Sequence, residues 1–371
     1  FPGDTSFRLE SGVLLKLLHG CGYARNVSLK RLVDHAMLAR KFTRQAGDMP
    51  RPDVILCSLP PLELPVAATR YGERHRVPVI IDVRDLWPDL FLELVPHWAR
   101  ATANVFLAPM WKQARQACRK ATAITGNSPH FVDWGIALAG RARTPWDRHF
   151  WHGYAARTPG HDQLQAAHAF WSRWGVASSD EVFTACFFGA IGPQSELETV
   201  IEAARLLERS EKRFRFVLCG KGDRLDALRK EAADCPSVIF PGWIGAPEIW
   251  TLMRMSAVGL AVYRSNVGYV SNLPNKPIEY LSAGLPVISS LSGFLEDFLA
   301  RHGCGATFPN GNAQCLAGLL SDLYDDRARL KNMADNAHRV FAEEFAAEKV
   351  YGGMIDYIEK IAMQFGSGDK K

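Results

Sequence analysis

Two rhythms alternate along the last two-thirds of the chain. Short apolar runs of strand length occur at Val182 to Phe188, Phe214 to Cys219, Ser237 to Phe240, Ala257 to Tyr263, Leu285 to Ser289 and Gly305 to Phe308. Between them lie stretches with helical spacing. In Glu196 to Arg209, for example, Leu197, Val200, Ile201, Ala204 and Leu207 share one face. Arg224 to Ala233, Ala246 to Met255, Lys276 to Ala283, Ala313 to Tyr324 and Asp326 to Phe345 continue the series. Gly284 stands where a left-handed C-cap is expected. Such alternation predicts a parallel sheet covered by helices on both faces. Right-handed crossovers then make it doubly wound, with ligands bound beyond the carboxyl ends of its strands.

The first part repeats this rhythm more faintly. Strands are predicted at Asp53 to Cys57, Val77 to Val83 and Ala121 to Thr125, and a helix at Leu64 to His75. Trp98 to Lys120 reads as a long helix that Pro109 breaks or kinks. A complete doubly wound half needs a further strand and a glycine turn near its start, and no such signal occurs before residue 50. Phe1 stands where a methionine would, and FPGDTSFRLESG has neither the basic nor the apolar region of a signal peptide. The natural N-terminus is therefore expected to be missing. Arg141 to Trp174 is rich in Trp, His, Arg and Gly without a period and reads as an interdomain connection. Val350, Met354, Ile355, Tyr357, Ile358 and Ile361 mark a final helix within Glu348 to Met363, expected to return to the first domain. The expected division is 1–150 with 346–371, and 151–345.

Composition narrows the classes. With 371 residues, 47% hydrophobic and 22% charged, the chain has the length of about two globular domains. No run of about 18 apolar residues is present, so no membrane-spanning helix is predicted. A net charge of +5 is too mild to signal nucleic acid and suits anionic ligands or lipid headgroups. The eight cysteines, including Cys57, Cys186 and Cys219 in apolar strand runs, form no CxxC pair. Reduced thiols in a cytoplasmic protein are expected, with no zinc or disulfide framework. HExxH and GxSxG are absent, and Gly220-Lys221-Gly222 is too short for a P-loop.

The most specific stretch is SNLPNKPIEYLSAGLPVISS, Ser271 to Ser290. Lys276 and Glu279, three apart, share the face at the start of a helix. Free N–H groups and the positive end of the dipole lie there, so an anionic phosphate could be held beside Lys276. Glu279 could accept two hydrogen bonds from a ribose diol. A surface ion pair of small worth is the alternative.

This stretch resembles the donor-binding signature of retaining group 1 glycosyltransferases, which have the GT-B architecture of two Rossmann-like domains. It is most similar to bacterial enzymes of capsule, O-antigen and exopolysaccharide assembly. Pro274, Lys276, Glu279, Tyr280, Ala283, Gly284, Pro286 and Val287 carry the match. The resemblance implies that Glu279 binds the nucleotide ribose and that the loop with Gly189 and Gly192 approaches the diphosphate. LCGKGD, with Gly220 and Gly222, matches a further element, and FPGWI, Phe240 to Ile244, the segment that cradles the base. DVRDLWPD resembles an N-domain element, in which Asp85 takes the place of a catalytic-loop polar residue. An N-cap, or a partner for Arg84, is the other reading of Asp85. The likeness spans about residues 50 to 362.

There are departures. A first glutamate common in the family is replaced by Ser271, beside Asn272 in the sugar-side turn, and Pro193, Gln194 and Ser195 stand where loop cations are frequent. Lys276, aided by Lys221 or Arg264, must then meet the diphosphate charge. The implied activity is transfer of a hexosyl or N-acetylhexosaminyl unit with retention. The donor would be a nucleotide-diphosphate sugar and the acceptor a glycan or polyprenyl-diphosphate-linked sugar, with no cofactor and no required metal. The expected donor-binding set is Gly189, Gly192, Lys221, Ile244, Ser271, Asn272, Lys276 and Glu279. The aromatic and basic helix Trp98 to Lys120 suits peripheral contact with an anionic membrane at its inner, cytoplasmic face, or is an ordinary half-buried helix. A nucleotide-sugar 2-epimerase of the same plan and a non-catalytic donor-binding subunit are the alternatives.

Overall fold

The computed structural model describes residues 3–24, 28–93, 95–264 and 272–366. The chain forms two compact units, Phe1–Phe150 with Gly353–Lys371, and Trp151–Gly352.

In the first unit, β1 (Thr5–Arg8) and β2 (Leu14–Leu17) pair as an antiparallel ribbon. Helix α1 (Leu29–Gly47) follows, its start capped by the Ser28 hydroxyl accepting from the Arg31 N–H. Then come β3 (Ile55–Leu59), α2 (Glu63–His75), β4 (Val79–Val83), α3 (Asp89–Glu93), α4 (Arg100–Lys120), β5 (Ala123–Gly126), α5 (Pro129–Ala139) and β6 (Arg148–His149). The four strands β3 to β6 lie side by side, all parallel. Every residue of β4 is buried, as expected of a strand covered on both faces.

Two expectations are revised here, and one helix is added. Strands do occur before residue 50, but β1 and β2 pair only with each other among the described residues. Phe7, Leu14 and Leu15 are all exposed, so no alternation marked them. Helix α4 runs unbroken through Pro109. Val105 and Pro109 are both exposed, so the lost hydrogen bond falls on a side where water can replace it. Helix α5 escaped the periodicity because it is apolar on most sides and holds Gly135 within it.

The second unit begins with α6 (His161–Arg173), inside the segment read as a periodless connection. Only Ala167 and Trp171 of that helix are buried, too few to set a period. Next come β7 (Val182–Ala190), α7 (Leu197–Leu207), β8 (Arg213–Lys221), α8 (Leu225–Glu231), β9 (Val238–Gly242), α9 (Ala246–Arg254) and β10 (Val258–Ala261). Then follow α10 (Asn275–Ser282), β11 (Val287–Ser289), α11 (Phe294–His302), β12 (Gly305–Thr307), α12 (Ala313–Asp325) and α13 (Arg327–Val340). A π turn, Phe341–Phe345, leads into α14 (Ala347–Gly366).

The sheet is parallel, in the order β12-β11-β10-β7-β8-β9. Its side chains alternate between two cores. Phe183, Phe187, Phe216 and Leu218 pack under Val200, Ile201, Leu316 and Leu320. Cys186, Phe188, Val217 and Cys219 pack under Leu252, Ile278, Tyr280 and Leu281. Each large apolar side chain buried this way contributes roughly 1.5–3 kcal/mol.

The end of α14 belongs to the first unit. Tyr357 and Ile361 pack on Ile80 and Ala123, and the Tyr357 hydroxyl donates to the Trp146 carbonyl at 2.6 Å. The first unit thus takes in the chain from Gly353 onward, where 346 was the expected boundary.

Candidate functional site

The second sheet winds outward from β7 to β9 and then back on the other side of β7 from β10 to β12. Between β7 and β10 the winding reverses, and crevices for ligands open at the carboxyl ends beside such a point. A cleft of about 520 Å³ lies there, walled by the ends of β7 and β8, the turn after β9 and the start of α10.

Glycines allow its floor to be this close-knit. Gly189 and Gly220 face each other in the β7–β8 register, with φ values of 143° and 150°. A Cβ on Gly220 would lie 1.9 Å from the Gly189 carbonyl oxygen. A Cβ on Gly189 would lie 2.7 Å from the Lys276 Nζ. The first glycine thus permits the strands to pair to their ends, and the second leaves room for the lysine.

Lys276 lies half-buried, with its Nζ 5.1 Å from the ring centroids of Phe187 and Tyr263. Burial lowers its ammonium pKa, opposed by the nearby Glu279. Glu279, one turn on, is pushed up to about 7 by burial, against the pull of Lys276. Among the described residues no side chain caps α10, which starts after Pro274. Its first N–H groups and dipole therefore point a positive end at the cleft that Asn275, Lys276 and Glu279 line.

Tyr280 fixes this helix. Its ring is fully buried beside Gly259, where a Cβ would sit 2.4 Å from the ring, and its hydroxyl lies 3.1 Å from the Leu260 carbonyl. Gly284 then ends the helix at φ 68°, and Leu285 N–H donates to the Tyr280 carbonyl.

Of the expected donor residues, Gly189, Lys221, Ile244, Lys276 and Glu279 come together in the cleft. Gly192 and Asn272 do not line it. Gly192 makes a turn, its carbonyl accepting from Ser195 N–H at 3.0 Å, and the Asn272 side chain accepts from Leu273 N–H. Ser271 lies outside the described residues. Trp243, Ile249 and Phe188 also line the cleft and were not among the expected residues. Trp243 is 68% exposed at its edge, and its position inside FPGWI was the available signal.

Asp85 lies in the first unit, on the loop after β4, and is exposed. Neighbouring protein still raises its carboxyl pKa, opposed by Arg31. It is not the partner of Arg84, which pairs instead with the buried Asp82. Lys221 is exposed at the end of β8, and Arg264 reaches Glu198 at 3.3 Å. Among the described residues no group of three or more His, Cys, Asp or Glu is placed to hold a metal ion. No helix among them is long and apolar enough to cross a membrane.

Residues 172–340, which contain this cleft, match the family model "Glycosyl transferases group 1". The match covers just under half of the chain and marks that segment as similar to the group 1 glycosyl transferases. A curated relative, the amylovoran biosynthesis glycosyltransferase AmsK of Erwinia amylovora, is 25% identical over 179 residues. The alignment covers 45% of this chain and 42% of AmsK, so the match spans less than half of either protein. Among solved structures, HepE of Anabaena in complex with UDP-glucose superposes with a TM-score of 0.63 at 16% identity, covering 90% of this chain and 84% of HepE. Sucrose-phosphate synthase of Thermosynechococcus elongatus gives a TM-score of 0.68 at 14% identity, with 98% and 87% covered. These likenesses establish the fold as that of GT-B glycosyltransferases, with two Rossmann-like units.

Proposed function

We propose that this chain transfers a hexosyl or N-acetylhexosaminyl unit from a nucleotide-diphosphate sugar to a glycan or polyprenyl-diphosphate-linked acceptor, with retention, in surface polysaccharide synthesis. The observation that carries the reading is the pairing of Lys276 and Glu279 at the uncapped start of α10, inside the cleft at the sheet's reversal. Departure of the nucleotide develops negative charge on its diphosphate. Lys276 and the helix N-terminus are placed to meet that charge without reorganising. Fixed charges and dipoles of this kind usually lower the barrier more than any other single effect. Glu279, as a carboxylate, would accept from both ribose hydroxyls. Ile244 and Trp243 offer apolar surface for a base. The amylovoran enzyme name and the UDP-glucose bound to HepE support a polysaccharide product and a nucleotide-sugar donor. The chemistry assigned to these residues calls on no metal or cofactor.

The first unit would take the acceptor, with Asp85 as its candidate catalytic residue. From Val95 to Val132 the sequence holds no acidic residue but includes Arg100, Lys112, Arg115, Arg119 and Lys120. Trp98, Val105 and Phe106 are 87%, 72% and 80% exposed. Apolar side chains among cations, in a stretch without acids, support peripheral contact with the inner face of an anionic cytoplasmic membrane, where a lipid-linked acceptor would be met.

Calorimetry with UDP and turnover assays on matched donor and acceptor test the reading together. Glu279→Ala should weaken nucleotide binding about tenfold or more through loss of two hydrogen bonds. Asp85→Asn should lower turnover more than donor affinity. Unchanged affinity in the first variant displaces the donor site. Epimerisation of the nucleotide sugar without acceptor would replace transfer altogether.

A further inference from the structure

A second cleft lies wholly within the first unit, between α1, α2 and α4, with a volume of about 630 Å³. Its existence follows from residue size. Ala36, Ala39 and Ala67 line it where larger side chains would close the gap between helices. Polar groups converge on it from all three helices. Arg70 and Arg74 stand one turn apart on α2, Arg40 comes from α1, and the amides of Gln113 and Gln116 come from α4.

The three arginines differ from the basic residues around them. Lys41 is held by Asp4 at 2.7 Å, Lys120 by Glu73, and Arg31 lies 4.5 Å over the Trp87 ring. Arg40, Arg70 and Arg74 have no acidic partner among the described residues. The one carboxylate among the described residues lining the cleft, Glu63, is half-buried and faces His35 at 3.7 Å, and burial raises its carboxyl pKa. Cations gathered from separate helices repel one another unless an anion joins them. A guanidinium fork matches the paired oxygens of a phosphate, and three such forks suit a doubly phosphorylated or diphosphate group. The concave shape and volume fit a discrete molecule of sugar-phosphate size better than a flat bilayer.

We propose that the cleft between α1, α2 and α4 is an anion-binding site for a phosphorylated small molecule, held by Arg40, Arg70 and Arg74 with the amides of Gln113 and Gln116. It is separate from the cleft of the second unit and does not depend on the role assigned there. The gap left by the small side chains gives the ligand its place. The cations, left without acids, supply its affinity.

Calorimetric titration of the full chain with inorganic pyrophosphate at low ionic strength tests this. Two classes of site are expected, one lost in R70Q/R74Q and the other in K276M. R70Q/R74Q should weaken its class about tenfold for each guanidinium removed. Both positions are exposed, so the thermal melt of this variant should match the wild type. R40Q, on another helix, should weaken the same class and keeps the test valid if the double variant is unstable. The proposal is overturned if pyrophosphate binding is unchanged in R70Q/R74Q and R40Q, or if K276M alone abolishes all of it. It is also overturned if the wild type sediments with phosphatidylglycerol vesicles through these arginines while pyrophosphate neither binds nor competes, for then the phosphate is a lipid headgroup's.

Discussion

The clefts of the two units gather positive charge by different means. In the second unit Lys276 is pressed against Gly189 and two aromatic rings, and the start of α10 adds its dipole. In the first unit Arg40, Arg70 and Arg74 stand exposed on helix faces. A buried cation is costly to hold, and its ionisation depends on its neighbours, but its attraction is little weakened by solvent. An exposed guanidinium keeps its charge at every ordinary pH and is screened by salt. Burial therefore gives positional certainty at the Lys276 cleft, and exposure gives tolerance at the arginine cleft.

The largest expected effect tests the rigid floor of the second unit. Gly220→Ala forces a Cβ to within 1.9 Å of a carbonyl oxygen at a φ of 150°. It should cost on the order of 3 kcal/mol, seen as a lower urea midpoint. Native-like stability would mean that the floor yields and that the contrast between the clefts is overdrawn.

A smaller effect separates buried from exposed charge. Between its ordinary 4.5 and about 7, Glu279 keeps a proton in the folded chain that the unfolded chain has released. Its contribution to stability therefore falls as pH rises through that window. Glu279→Gln should raise the melting point relative to wild type at about pH 8, by up to roughly 2 kcal/mol in stability, and change little at about pH 4. A gain at the acid end instead would reverse the sign of the burial effect.

The smallest effect is salt. Raising ionic strength from about 0.05 to 0.5 M should weaken pyrophosphate binding at the arginine cleft about tenfold and at the Lys276 cleft about two- to threefold. Equal slopes would show that both sites are equally open to water.

Much of the second unit was legible because its strands are buried on both faces and its turns carry glycine. The spacing placed Lys276 and Glu279 on one helical face, the resemblance rather than the spacing favoured a ligand role over a surface ion pair, and both line the cleft. Helix α11 was not visible, although Gly293 and Glu296 mark its start. Glycine at φ 81° and a glutamate accepting from its N–H define that cap, and Leu295, Phe298 and Leu299 share its buried face, but nine residues hold too few turns for that short period to stand out. The arginine cleft could not be read at all. Arg40 lies 30 residues from Arg70 in sequence, and only the packing of α1 on α2 brings them to one gap. In the first unit, where helices such as α5 are apolar on most sides, pattern and burial part company.

Tyr280 has a kinetic consequence. Wedged beside Gly259 with its hydroxyl at the Leu260 carbonyl, it holds α10 against the sheet. A diphosphate arriving at the proposed site would meet a helix already docked. Encounter with the nucleotide should then run near the rate at which molecules of this size collide in the right orientation, and differences among donors should lie in how fast they leave.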